Sequence, residues 1–144
     1  MGYQENLRLP DRKSQMALDI LIVDDSAAIR KILLRVLGQT QLVLGNVFEA
    51  GDGLEALKVL EEHSVALILS DINMPNMDGL QMLMAIRQRP EWSSIPIIMI
   101  TTEGAQARVM EAVELGARGY VRKPFTAEQI LEKISACLSS AVGG

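Results

Sequence analysis

The sequence has one cysteine, Cys137, and one histidine, His63. A lone cysteine cannot form an internal disulfide, which fits a reducing, cytoplasmic setting. His63 ends the charged stretch Glu61-Glu62-His63 and reads as a solvated helix-end residue. Aromatics make up only 3% of the chain, so its core must be aliphatic and methionine-rich. Met74, Met77, Met82, Met84, Met99 and Met110 are read as core filler. Basic charge is not in excess: the net charge of -4 argues against direct nucleic-acid binding, which needs a basic surface. No apolar run reaches the ~20 residues of a membrane span, so no membrane insertion is expected. The start, Met1-Gly2-Tyr3-Gln4-Glu5-Asn6, lacks the basic-then-apolar order of a signal peptide. There is no internal repeat and no low-complexity segment.

With 144 residues the chain can build one domain with a real core, and not two ordinary ones. Residues 1–16 are polar, carry Pro10 and the charged Asp11-Arg12-Lys13, and are read as an N-terminal tail. Strands and helices then alternate over residues 17–140, with residues 141–144 as a C-terminal tail and no room for a second domain. Strands are expected near 19–24, 43–49, 65–70, 96–101 and 118–121. Helices are expected near 27–37, 53–62, 79–88, 105–115 and 127–139. The first helix places Ile29, Ile32, Leu33, Val36 and Leu37 at helical spacing, with Gly38 as its stop. The second places Leu54, Leu57, Val59 and Leu60. Asp78 can cap the third helix, Pro90 ends it, and Thr126 with Gln129 has capping-box spacing for the fifth. Strands separated by helices imply a parallel sheet with right-handed crossovers and helices on both faces.

In such a sheet the carboxyl ends of the strands share one face, where ligands bind. Four apolar runs each deliver polar groups there. Ile20-Leu21-Ile22-Val23 runs into Asp24-Asp25, and Val65-Ala66-Leu67-Ile68-Leu69-Ser70 into Asp71. Ile97-Ile98-Met99-Ile100 runs into Thr101, and Gly119-Tyr120-Val121 runs on to Lys123-Pro124. Carboxylates in one pocket repel unless a proton or a metal offsets them. Magnesium prefers a few carboxylates plus waters and phosphate oxygens, which Asp24, Asp25 and Asp71 could supply. One carboxylate can also attack phosphorus and become an acyl phosphate, with Lys123 and Thr101 as partners for the phosphoryl oxygens. Taken singly, each has a plainer reading. Asp24-Asp25 serves equally as a turn and helix cap, Asp71 as a loop cap before Pro75, Lys123 as a solvated lysine and Thr101 as a strand-end residue. Four such ends in order make the plain reading a poor account of the set.

The pieces Asp24-Asp25, Asp71-Ile72-Asn73-Met74-Pro75-Asn76-Met77-Asp78-Gly79, Thr101 and Gly119-Tyr120-Val121-Arg122-Lys123-Pro124-Phe125 resemble the receiver domain of bacterial two-component response regulators. Within that family the motif set is most similar to the stand-alone chemotaxis regulators of CheY type. The likeness covers about residues 17–140. It implies a flavodoxin-like (βα)5 doubly wound parallel sheet in three α/β/α layers, strand order 2-1-3-4-5. It implies Asp71 as phosphoacceptor, and Mg2+ held by Asp25, Asp71 and the backbone carbonyl of Asn73, with Asp24 acting through water. Lys123 would hold the phosphoryl group or, before it arrives, the carboxylate. Thr101 would move towards the phosphoryl group and Tyr120 would swing into the space it leaves. A cis Lys123-Pro124 bond is implied as well.

The same likeness makes Asn73 and Glu103 positions that tune how fast water removes the phosphoryl group, and suggests a short-lived signal. Thr102 departs from the pattern, standing where the family usually has a smaller residue, and would narrow phosphodonor access. The implied partners are a histidine kinase, a phosphatase, and a downstream protein on the face of the fourth helix, fifth strand and fifth helix. That target would be the flagellar motor switch if the chain is chemotactic. The chain would be a phosphoacceptor switch rather than an enzyme, with no phosphotransfer from its own His63. A phosphorelay shuttle or an adaptor outside chemotaxis is the alternative within the family.

Two other readings stay open on residues alone. Gly51-Asp52-Gly53-Leu54-Glu55-Ala56 fits a dinucleotide-binding turn, but it follows the second strand, leaves the acid pair after the first unexplained, and puts Asp52 where pyrophosphate would lie. An aspartyl-phosphate hydrolase would share an aspartate nucleophile and magnesium, yet needs a second aspartate where Asn73 stands. Trp92, after Pro90, is expected to pack at the surface.

Overall fold

The computed structural model describes residues 17–102 and 106–143, with side chains through residue 138. The first sixteen residues and Glu103 lie outside the described residues. The elements alternate as β1 (Leu18–Val23), α1 (Ala27–Gly38), β2 (Leu44–Ala50), α2 (Gly53–Glu62), β3 (Leu67–Ser70), α3 (Gly79–Arg87), β4 (Ile97–Thr101), α4 (Gln106–Glu114), β5 (Gly119–Arg122) and α5 (Ala127–Gly143). All strand pairs are parallel, in the order β2-β1-β3-β4-β5.

Period-two alternation along the strands divides the core between the two faces of this sheet. Leu21, Val23, Ile68, Ile97 and Met99 point to one face and meet Ala56 and Leu60 of α2, Leu83 and Ile86 of α3, and Val109 and Ala112 of α4. Ile20, Ile22, Leu67, Leu69, Ile98, Ile100 and Val121 point to the other, against Leu33 and Leu37 of α1 and Ile130, Ile134 and Cys137 of α5. The result is the expected three-layer α/β/α arrangement with strand order 2-1-3-4-5.

The helix starts follow their capping residues. Ser26 Oγ accepts from Ile29 N at 3.2 Å, and Asp52 Oδ1 accepts from Glu55 N at 2.9 Å. Asp78 and Gln81 close a reciprocal capping box at α3, and Thr126 with Gln129 does the same before α5. Each cap satisfies amide donors that the first helical turn leaves without partners.

Several local expectations need correction. Helix α1 runs through Gly38 and its C-cap is Gln39, so Gly38 does not stop it. Ile32 and Leu54 are exposed because each lies at the edge of its helix's apolar stripe, where a neighbouring position takes the sheet contact. Strand β3 starts at Leu67, not residue 65, although the Ala66 amide already donates to the carbonyl of Asp19 in β1 at 2.7 Å. Helix α5 continues past residue 139 to Gly143. Met82 and Met99 are core residues and Met74 and Met77 pack against the core, but Met84 and Met110 are exposed. Trp92 is only 7% exposed: it enters the core, and the Arg89 guanidinium lies 3.9 Å from its ring centroid. His63 is exposed as expected, with its ring stacked on Phe48 at 4.3 Å. Among the described residues no helix is long and apolar enough to cross a membrane.

Candidate functional site

The ladder itself brings the site together. Val23 pairs with Ser70 across β1 and β3, and Thr101 with Arg122 across β4 and β5. One residue further on, Asp24 N donates to Ala50 O at 3.0 Å, Asp71 N to Val23 O at 2.9 Å, and Lys123 N to Thr101 O at 2.6 Å. The backbone bonds thus carry Asp24, Asp71 and Lys123 onto one edge of the sheet, at the switch point between β1 and β3.

Ligand oxygens of Asp24, Asp25 and Asp71 all lie within 4.8 Å of one another. Asp24 is 1% and Asp71 8% exposed, while Asp25 faces solvent. Lys123 Nζ donates to Asp24 Oδ2 at 2.8 Å and to Asp71 Oδ2 at 3.3 Å. Three carboxylates therefore face one ammonium, and when all are ionised two negative charges remain in excess, matching one divalent cation. An all-oxygen set of this kind suits a hard cation such as magnesium. This carboxylate cluster is able to coordinate a divalent metal.

Burial raises the Asp71 carboxyl above its ordinary value of 3.8; the Lys123 charge pulls it down, and the Asp24 charge adds to the rise. Burial also works against charge on Lys123. The Asp24 hydrogen bond and the charges of Asp71 and Asp24 outweigh it, and the ammonium is held above its ordinary value.

The backbone around Asp71 is tightly held. Asp71 Oδ1 accepts from Ile72 N at 2.7 Å, leaving Oδ2 towards Lys123. Gly79 N donates to Ile72 O at 2.7 Å, and a β-carbon at Gly79 would lie 2.4 Å from Asp71 O and 2.9 Å from Ile72 Cα. Only glycine admits that approach of α3 to the strand end. Across the loop, Asn76 takes a left-handed φ of 66° and donates from Nδ2 to Asp52 Oδ2 at 2.7 Å. Asn tolerates that region better than most residues.

Thr101 is buried at the end of β4, and its hydroxyl contacts Thr102 O at 3.4 Å, a long bond that leaves it weakly engaged. A cavity of about 50 Å³ adjoins it, lined by Thr101, Thr102, Gln106, Val109, Tyr120 and Arg122. The Tyr120 side chain stands at its rim, with the residue 42% exposed. The Lys123-Pro124 bond is cis, as the resemblance implied.

Asp24, Asp25, Asp71 and Lys123 thus meet, and Thr101 with Tyr120 borders a cavity beside them. Asn73 is exposed at the start of the loop. Sequence reasoning missed Arg30, whose Nη1 donates to Asp24 O at 2.6 Å while its Nε donates to Glu49 Oε1 at 2.8 Å. It also missed Arg108, which donates to Asn73 Oδ1 at 2.9 Å and Asp78 Oδ2 at 2.6 Å. Neither arginine has a local signal, because its partners come from other elements. The dinucleotide reading fails on geometry: Gly53 N donates to Met77 O at 2.9 Å, and Met77 fills the space above that turn.

A family profile described as response regulator receiver domain matches residues 20–135, most of the chain. The chain belongs to the response regulator receiver family. It is similar to a chemotaxis protein CheY homolog of Campylobacter jejuni, 37% identical over 127 residues, covering 88% of this chain and 96% of that protein. Among solved structures it is similar to the chemotaxis response regulator CheY4 of Vibrio cholerae, with TM-score 0.75 and 33% identity over 85% of this chain and 99% of that one. It is also similar to the receiver domain of an HD domain-containing protein from Pseudomonas fluorescens, with TM-score 0.79 and 26% identity over 89% and 99% of the two chains. As a receiver domain of CheY-like type, the chain falls in a family of phosphoacceptor switches rather than of catalytic enzymes.

Proposed function

We propose that Asp71 is the phosphoacceptor of this receiver domain. The observation that carries the proposal is the pairing of Asp71 Oδ2 with Lys123 Nζ inside a three-carboxylate cluster. Asp71 Oδ2 attacks the phosphorus of a phosphohistidine on a histidine kinase, or of a small phosphodonor. The donor's bond to phosphorus breaks, its electron pair stays with the donor, and an acyl phosphate forms on Asp71. Asp25, Asp71 and the Asn73 carbonyl would hold Mg2+, with Asp24 reaching it through water; the ion supplies charge neutralisation at the phosphoryl oxygens. Lys123 turns its ammonium from the carboxylate to the new phosphoryl group. Thr101 donates its weakly engaged hydroxyl to a phosphoryl oxygen, and Tyr120 moves into the adjoining cavity. New contacts that differ between two conformers shift their populations.

The output is a changed affinity for a protein partner on the face of α4, β5 and α5, where Tyr120 and Met110 are exposed. By likeness to CheY-type proteins, the pathway is cytoplasmic chemotaxis: a histidine kinase as input, a flagellar motor switch as target, and a phosphatase that resets the mark. Thr102, at the cavity wall, narrows donor entry, and Glu103 with Asn73 tunes the lifetime of the mark. Likeness to a receiver not named for chemotaxis, that of an HD domain-containing protein, supports a second reading outside chemotaxis, for which a phosphorelay shuttle or an adaptor is the alternative.

The test is phosphate uptake from acetyl phosphate with and without Mg2+. Acid-labile phosphate on Asp71, lost on chelation and in Asp71→Asn, is expected. Undiminished uptake by Asp71→Asn would falsify the assignment, and steady turnover of unrelated phosphomonoesters would favour a hydrolase.

A further inference from the structure

Arg108, in the first turn of α4, makes two side-chain bonds to the loop that follows Asp71. Its Nη1 donates to Asn73 Oδ1 at 2.9 Å and its Nη2 to Asp78 Oδ2 at 2.6 Å. The arginine therefore spans the loop from near its start to the cap of α3. Two bonds from a planar fork fix the guanidinium's orientation, which a single contact would not do. A guanidinium has only donors, so the Asn73 carboxamide must present its oxygen to Arg108. Its Nδ2 hydrogens are consequently directed away from Arg108. Without that partner an exposed asparagine samples several rotamers.

We infer that Arg108 is a positioning residue for loss of the phosphoryl group from Asp71, acting by holding the Asn73 amide. The inference rests on the reading of Asp71 as acceptor. In the reaction, water adds to phosphorus and the bond from phosphorus to the Asp71 carboxyl oxygen breaks. The electron pair returns to the carboxylate, phosphate leaves, and the proton released by water passes to solvent. The Asn73 Nδ2 donates to the oxygen of the attacking water and holds it for approach, an advantage of orientation rather than of bond strength. Arg108 touches no reacting atom. It removes the rotational freedom that the amide would otherwise have to lose in each hydrolysis event.

The experiment follows loss of acid-labile phosphate from the intact chain in wild type, Arg108→Met, Asn73→Ala and the double variant. Arg108→Met is expected to slow hydrolysis roughly threefold to tenfold, the scale of one hydrogen bond in the transition state. In the Asn73→Ala background the same change is expected to have no further effect. A purely structural role would slow both backgrounds alike, and that result overturns the inference. A wild-type rate in Arg108→Met overturns it too. Should that variant fold poorly, Arg108→Ala is read in the same way. If the wild type takes up no phosphate on Asp71, the acceptor reading itself fails, and this outcome is distinct because it precedes any hydrolysis measurement.

Discussion

Lys123 binds Asp24 more closely than it binds Asp71: its Nζ lies 2.8 Å from Asp24 Oδ2 and 3.3 Å from Asp71 Oδ2. The ammonium is thus anchored on a carboxylate that is not the proposed acceptor. Movement towards a phosphoryl group on Asp71 can keep the Asp24 contact as a pivot, and Asp24 is buried deeply enough to serve as a fixed one.

Replacing Lys123 by methionine removes the only ammonium that contacts the carboxylates among the described residues. Its charge competes with a divalent cation at short range, by about 1–2 kcal/mol even at the dielectric of water. Lys123→Met is therefore expected to bind Mg2+ about tenfold more tightly by calorimetry, while still accepting phosphate and failing to change partner affinity. Unchanged Mg2+ affinity would show that this charge does not act at the metal position.

Gly79→Ala tests the approach of α3 to the proposed acceptor. The added β-carbon meets Asp71 O at 2.4 Å and Ile72 Cα at 2.9 Å, both backbone atoms that cannot rotate away. A loss of about 1–3 kcal/mol in urea unfolding is expected, together with slower phosphate uptake. Full stability would mean that the strand end shifts freely.

Arg87 closes the opposite end of the sheet. Its guanidinium donates to Ser93 O at 2.9 Å, Ile95 O at 3.0 Å and Gly116 O at 2.9 Å. Arg87→Ala leaves those carbonyls without that partner and is expected to cost roughly 2–3 kcal/mol, with phosphate uptake retained because the carboxylate cluster is elsewhere. A change in stability below about 0.5 kcal/mol would contradict this.

The pH response of stability has a definite sign. Asp52 is held below its ordinary value of 3.8 by the Asn76 hydrogen bond first and the Glu55 amide next, with burial opposing and Lys58 assisting. A carboxyl depressed in the folded state stabilises fully above its unfolded pKa, and that contribution is lost as pH falls through the lower folded value. Asp78 adds in the same direction: burial raises its pKa, but the Gln81 amide and Arg108 outweigh that and hold it low. Asp52→Asn, which can still cap α2, is expected to lose less stability than wild type between about pH 5 and pH 2. Parallel urea midpoints over that range would count against the Asp52–Asn76 bond.

Most of the architecture was legible because strand and helix periods differ. The apolar run Ile97-Ile98-Met99-Ile100 reads as a strand and forms one, and Asp78 and Thr126 each mark a helix start by chemistry within three residues. Errors fell where a long-range contact decided the outcome. Trp92 looked like a surface residue beside Pro90 but is drawn into the core, covered by Arg89. Ile32 and Leu54 had the right spacing and lost the contact to a neighbour on the same helix.

The sequence alone determined which groups arrive at the carboxyl edge of the sheet, because a strand delivers the residue that follows it wherever the strand lies. Asp24, Asp25, Asp71, Thr101 and Lys123 were therefore identifiable before any coordinates. The tertiary structure decided which of them touch, that Lys123 prefers Asp24, and that Arg30 and Arg108 hold the site's backbone and loop from other elements. Those contacts join residues 99, 6 and 35 positions apart, each between different parts of the fold. No local pattern encodes such pairs, since their geometry exists only once the parallel sheet has brought the strand ends together.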